Sequence, residues 1–205
     1  MKRARPDNSR EKLIDAAEVL VSREGVGTLT LDRVAAEAGV SKGGLLYHFP
    51  SKDALIEAMV ERHLHSYTDA LDQTLRGERT GPGRFTRAVV RAAFESSLQP
   101  PERERRTAAA LLAAVVNRPA LLAPVRDAYA RWMEQASRDG LPAGQAVTVL
   151  AALDGLWFWN LLGLARLSPA RARAMRQALE AMAHAPAPQP AEPQPKHRRR
   201  GDRLI

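Results

Sequence analysis

Apolar residues recur at spacings of three and four along almost the whole chain, and the alternation of half-buried strands does not occur. The pattern predicts an all-α protein of about nine helices. The first runs from about Asp7 to Glu24, with Leu13, Ala16, Ala17, Leu20 and Val21 on one face and Arg10, Glu11, Asp15 and Glu18 on the other. Gly25-Val26-Gly27 ends it, because glycine takes the left-handed conformation that a helix C-terminus favours. Thr30 is placed to cap a second helix over Leu31 to Ala38, and Asp32 complements its positive end. Gly39 closes that helix and Ser41 can cap a third two residues later. The two form a helix-turn-helix, with Val34, Ala35, Ala38, Val40 and Leu45 buried against the first helix.

Pro50 stops the third helix, and Ser51 caps a long fourth through Leu55, Met59 and Leu64 towards Leu75. A glycine-rich break follows between Arg76 and Arg84. Five further helices are expected over about 84–98, 102–116, 119–138, 143–167 and 169–184, with Pro119 and Pro169 in first turns, where a missing N–H costs nothing. From Ala185 onward Pro, Ala and Gln alternate before a basic cluster, a composition without the apolar surface to order itself. The expected divisions are a basic arm (1–6), a helix-turn-helix domain (7–52), a helical ligand-binding and dimerisation domain (53–184) and a Pro-rich basic tail (185–205).

Composition narrows the chemistry. Cysteine is absent, and the five histidines have no metal-ligand spacing, so neither disulfides nor a zinc site nor any cofactor is expected. The apolar stretch 108–116 is too short for a bilayer span, 147–165 is interrupted by Asp154 and Asn160, and the basic N-terminus leads into a charged helix. A soluble cytoplasmic protein with no membrane partner is expected. A net charge of +8 and a pI near 10.5 favour a polyanionic partner.

An α-helix fits the major groove, where base edges carry a readable pattern, while phosphate contacts supply most of the affinity. The third helix suits this task. Ser41, Gly43 and Gly44 leave its N-terminus unencumbered where it would meet a phosphate, and that terminus itself attracts anions. Lys42 and Lys52 bracket it with charge, and Tyr47 and His48 offer donors and flat rings. Thr28, Thr30 and Arg33 are placed to hold the backbone beside the second helix. As plain structure, the same charges would be a solvated face and the glycines an eased turn. Each glycine, however, costs about 1 kcal/mol against Ala, which a purely structural helix has little reason to accept.

The run from Thr30 to Gly43, followed by Phe49-Pro50-Ser51-Lys52-Asp53-Ala54-Leu55, resembles the N-terminal domain of the TetR family of bacterial transcriptional regulators over about residues 7–55. The resemblance implies a homodimer whose first three helices bind a double-stranded DNA operator and whose remainder binds a small-molecule effector. It further implies that the last two long helices of each subunit form a four-helix bundle. Effector binding would then swing the fourth helix until the two recognition helices no longer fit one palindromic operator, releasing a repressor. Members often carry Thr and Tyr where this chain has Gly44 and Leu46, which shifts the expected contacts to Tyr47 and His48.

The least ordinary stretch of the remainder runs from Ala151 to Leu164. On a helix, Leu150, Leu153, Asp154, Trp157, Leu161 and Leu164 share one side, while Leu156, Trp159, Asn160 and Gly163 turn to another. Two apolar faces suit a helix that lines a pocket and also packs in a dimer, with Gly155 and Gly163 permitting close approach. A carboxylate on such a helix needs a partner, either Arg126, Arg131 or Arg166, or a cationic ligand. With Phe94, Tyr129, Trp132 and Trp157, Asp154 would form an aromatic cage for an amine or quaternary ammonium. The Asp154-Gly155-Leu156-Trp157 segment is similar to that of TetR-family members that sense choline-like or lipophilic cations. Alternatively the aromatics are core or interface and Asp154 pairs internally, with an uncharged or anionic apolar ligand left open. The last helix sets Met175, Ala178, Leu179 and Met182 against Arg171, Arg173 and Arg176, a stripe that in a family member reads as dimer interface rather than a membrane-surface face. The rival classes are a small all-α enzyme, for which no nucleophile, base and orienter converge, and a helical adaptor without DNA.

Overall fold

The computed structural model describes residues 8–97 and 100–184, so the expected basic arm and tail lie outside the described residues. Among the described residues there are nine α-helices and no strand. They are α1 (Asn8–Glu24), α2 (Leu31–Ala38), α3 (Lys42–His48), α4 (Lys52–Gly77), α5 (Arg84–Ala92), α6 (Glu102–Asn117), α7 (Ala123–Ser137), α8 (Gln145–Leu162) and α9 (Pro169–His184). The all-α expectation is met.

The caps read from the sequence are in place. Thr30, Ser41 and Ser51 accept backbone bonds from Arg33, Gly44 and Ala54 at 3.4, 3.1 and 3.1 Å, and Gly39 closes α2 at φ 65°. Because Ser51 supplies one of the few partners available to the free N–H groups of α4, Ser51→Ala should cost about 1 kcal/mol. Thermal unfolding should register this as a fall in Tm of about 2–4 °C.

Three boundaries differ from expectation. The fifth helix does not continue in α form to Leu98 but passes into a π-helical segment at Ala93–Ser97. The single helix expected from Pro119 is a 3₁₀ turn, Pro119–Leu122, followed by α7, because Pro124 lacks an N–H and is accommodated in a first turn. The eighth helix stops at Leu162 instead of Leu167, since Gly163 turns left-handed at φ 67°. Gly163 therefore ends a helix and does not serve a close helix contact.

Two cores share one beam. The first gathers Leu13, Ile14, Ala17 and Val21 of α1, Val34 of α2, Leu45 of α3, Leu111 and Val115 of α6, and Leu55, Ile56 and Met59 from the first half of α4. The second gathers Leu71 from the far half of α4 with Phe85, Val89 and Val90 of α5, Val149 and Leu153 of α8 and Leu179 of α9. At 26 residues, α4 spans about 39 Å and belongs to both. Arg62 fastens α4 to α1, reaching Glu11, Asp15 and Glu18 at 3.4, 2.7 and 2.6 Å. Farther along, Asp139 caps α5, accepting from the Phe85 and Thr86 amides at 2.8 Å each and the Thr86 hydroxyl at 2.6 Å.

The last two helices divide their faces differently from expectation. Met175, Leu179 and Met182, expected at a dimer interface, pack on the protomer's own second core. The apolar surface left outside belongs to α8, where Val147, Phe158, Trp159 and Leu162 are exposed. By length and composition alone α8 is apolar enough to cross a bilayer despite Asp154 and Asn160, but here Val149, Leu153, Leu156 and Leu161 are buried in the bundle.

Candidate functional site

α3 sits on the outside of the first core, anchored by Leu45, which is fully buried, and by Phe49 just beyond its end. Tyr47 is 84% exposed, the most exposed large aromatic or aliphatic side chain among the described residues, so burial within the protomer gives it no role. His48 is half-buried and meets the Tyr47 ring edge-on at 5.1 Å. Lys42 is exposed, its ammonium 2.8 Å from Asp32. A side chain at Gly43 would enter open space, whereas a Cβ at Gly44 would meet Val40 Cγ1 at 3.0 Å and Ser41 Oγ at 3.3 Å. Smallness at Gly44 thus serves the turn as well as any approach by a partner.

The remaining residues expected at the DNA surface have internal bonds. Thr30 and Ser41 are caps, and the Thr28 hydroxyl donates back to the carbonyls of Glu24 and Gly25 at 3.4 and 3.2 Å. Arg33 makes a two-pronged pair with Glu24 at 2.6 and 2.8 Å and donates to the Thr28 carbonyl at 3.3 Å. Hydrogen bonding by Arg33 holds the Glu24 carboxyl below the usual carboxylate range. Lys52 donates to the carbonyls of Val26 and Gly27 at 2.7 and 3.4 Å. Burial lowers the Lys52 pKa, with the charge of Arg118 adding to the effect.

Around the second core, Tyr129 and Trp132 of α7 and Asp154 of α8 come together, joined by Tyr67 of α4. The Tyr129 hydroxyl donates to Asp154 Oδ1 at 2.8 Å. Trp132 meets Tyr67 edge-on at 5.3 Å and Tyr129 at 5.1 Å. Asp154 is half-buried, and loss of water raises its carboxyl pKa, with the Tyr129 bond opposing. Burial, followed by the Asp154 charge, pushes Tyr67 up to about 12, and Tyr129 is raised by burial and by its bond to Asp154. Among the described residues no Arg or Lys pairs with Asp154, so the expected partnership with Arg126, Arg131 or Arg166 is not formed. Phe94 packs against the same core, whereas Trp157 stacks edge-on against Phe158 at 5.1 Å. Two concavities of about 520 and 140 Å³ lie elsewhere, the larger lined by Lys12, Asp15, Glu37 and Arg103, the smaller by Arg10, Glu61 and His65. In the aromatic cluster itself, the Trp132 ring lies between those of Tyr67 and Tyr129 in contact with both.

Tyr67 is the member that sequence reasoning missed. The signal was present, since Val60, Leu64, Tyr67 and Leu71 continue the apolar stripe of α4 at helical spacing.

Residues 13–59 match the family described as "Bacterial regulatory proteins, tetR family", and residues 83–184 match "Tetracyclin repressor-like, C-terminal domain". The HTH-type transcriptional regulator BetI 1 of Chromohalobacter salexigens is 30% identical over 193 residues, covering 86% of this chain and 94% of its own. The chain belongs to the TetR family. TetR-family architecture extends to solved structures. A family member from Streptomyces coelicolor A3 is 25% identical with a TM-score of 0.63, covering 86% of this chain and 98% of that one. The multidrug binding protein EbrR complexed with ethidium is 26% identical with a TM-score of 0.60, covering 83% and 98%. As a TetR-family protein, the chain is a ligand-responsive DNA-binding transcriptional regulator with an N-terminal helix-turn-helix and a C-terminal helical domain. TetR-family regulators bind DNA operators, usually as dimers, respond to small molecules, and are soluble cytoplasmic proteins of a regulatory rather than enzymatic family.

Proposed function

We propose that this TetR-family protein is a cytoplasmic, homodimeric repressor that holds a palindromic operator through α3 and is released by a lipophilic cation bound beside Asp154. It works by binding, without catalysis. The observation that carries the effector class is Asp154 itself. A half-buried carboxylate whose hydrogen bond comes from a neutral phenol, amid Tyr67, Tyr129 and Trp132, supplies the charge and ring faces that a quaternary cation requires. The likeness to EbrR, whose solved complex holds the cation ethidium, supports the same class. Phe94, which packs against the same core, and Trp157, one turn from Asp154, would complete the site, Trp157 by turning from Phe158.

For DNA, the open position of Tyr47 beside His48, with Lys42 and the uncrowded Gly43 at the start of α3, supports a major-groove role for this face. Ser41, Gly44, Thr28 and Thr30 shape and flank it. Dimerisation is assigned to the outward row of α8 with the adjoining face of α9, because four large apolar side chains of α8 are exposed together and nothing in the protomer crowds Gly155.

Selection of duplexes from fragmented genomic DNA with the pure protein tests the proposal. A single two-fold symmetric sequence should emerge, bound by a dimer in sedimentation. Enrichment of no sequence above bulk DNA would refute it.

A further inference from the structure

The basic residue at the start of α4 does not stand out into solvent. Lys52 reaches 26 positions back along the chain, and its ammonium rests on the Val26 carbonyl at 2.7 Å and the Gly27 carbonyl at 3.4 Å. These carbonyls follow the C-terminal end of α1, where the helix dipole favours a cation. The Val26 carbonyl also accepts the amide of Leu29 at 3.2 Å, and Leu29 is almost wholly buried in the first core. From the other side Arg33 grips Glu24 and the Thr28 carbonyl. Two cations therefore brace the short turn that delivers Thr28 and Thr30 to the surface beside α3. The neighbouring Asp53 pairs with Arg118, just beyond α6, so the helical turn that braces the DNA-reading side is also fastened to the rest of the protein.

We propose that Lys52 is a positioning residue and not a phosphate ligand: its ammonium fixes the Val26–Gly27 turn, and so sets Thr28 and Thr30 against α3. The assignment follows from commitment. A phosphate-binding lysine keeps its head group in water until DNA arrives, and releases counterions on contact. Lys52 would have to abandon two carbonyls just beyond the end of a helix to do the same. The turn would then lose its brace at the moment the DNA surface needed it. Glu24 and Arg33 are both exposed, so their pair alone is a weak support for this turn.

The proposal rests on DNA binding by α2 and α3, and its test has one arm without DNA. Lys52→Met keeps the aliphatic stem but removes charge and donors, and Lys52→Arg keeps both. In the free protein, Lys52→Met should speed amide exchange across residues 26–30 and Lys52→Arg should not. With a duplex selected by the wild type, Lys52→Met should bind about tenfold more weakly, the loss of one charge-assisted bond. The slope of log K against log[KCl] should stay at the wild-type value. A phosphate contact would instead make the slope shallower by about 0.9 and leave exchange in the free protein unchanged, and that result would overturn the proposal.

Discussion

Replacing Tyr47 with Ala should lower operator affinity about 10- to 100-fold while leaving thermal unfolding and dimer formation unchanged. The size follows from the roughly 1–3 kcal/mol carried by a good contact to a base edge, with about 1.4 kcal/mol per factor of ten. The selectivity of the loss follows from exposure: a side chain 84% open to solvent contributes little to the fold, and surface substitutions stay within about 0.5 kcal/mol. Tyr47→Phe divides the effect, since it keeps the ring for stacking and deletes only the hydroxyl. His48→Ala should also weaken binding, with some loss of stability because His48 is half-buried between the rings of Tyr47 and Phe49. Equilibrium titration of a labelled duplex and a thermal melt measure both quantities. Unchanged affinity in Tyr47→Ala would move recognition away from α3.

Asp154→Asn should reduce the affinity for tetraphenylphosphonium at least about tenfold and leave the Tm of the ligand-free protein at or above that of the wild type. The two effects have one cause. Desolvation raises the Asp154 carboxyl pKa more than the Tyr129 hydroxyl lowers it, so the folded protein favours the protonated form relative to the unfolded chain. That contribution to stability is complete below the ordinary carboxylate value and is lost as pH rises through the raised one. Ionised Asp154 thus costs stability at neutral pH, and Asn removes the cost. A bound cation is attracted by the ionised form, and two unit charges about 7 Å apart at an effective dielectric of about 20 attract by about 2 kcal/mol, which accounts for the tenfold loss. Wild-type affinity should fall as pH drops through the Asp154 pKa, and Asp154→Asn should show no such decline. Quenching of tryptophan fluorescence offers the readout, since Trp132 touches both Tyr67 and Tyr129. Equal affinity in the two proteins would remove the charge role of Asp154.

The helix-turn-helix was legible because its signals are local. Thr30, Ser41 and Ser51 each bond an amide three residues on, and Gly39 turns where its own backbone demands it. The ends of the later helices were less legible where one residue admits two readings. Gly163 fits a close helix contact and a left-handed stop equally well in sequence, and only the packed structure chooses. The α9 stripe had the right period for an interface, but periodicity cannot tell which apolar neighbour it meets, and Met175, Leu179 and Met182 met the protomer's own core. At the aromatic cluster two companions of Asp154, Tyr129 and Trp132, were readable as types. That Tyr129 itself bonds the carboxylate was not, because it lies 25 positions away and donates as a neutral group, where charge balance suggested an arginine. Arg33 and Lys52 show another limit, since the sequence places two basic residues beside the third helix but does not show their bonds within the protomer, to Glu24 and to the Val26 carbonyl.

The element shared by the aromatic cluster and α3 is α4, which follows α3 directly and carries Tyr67 in its second half. Its most direct measurement is duplex release, followed by the anisotropy of a labelled operator duplex as tetraphenylphosphonium is added to wild type and Asp154→Asn in parallel. The wild type should release the duplex with a midpoint that tracks its cation affinity, and Asp154→Asn should stay bound over the same range. Release at the same concentration from both, or a wild type that binds the cation and keeps its duplex, would contradict cation-driven release.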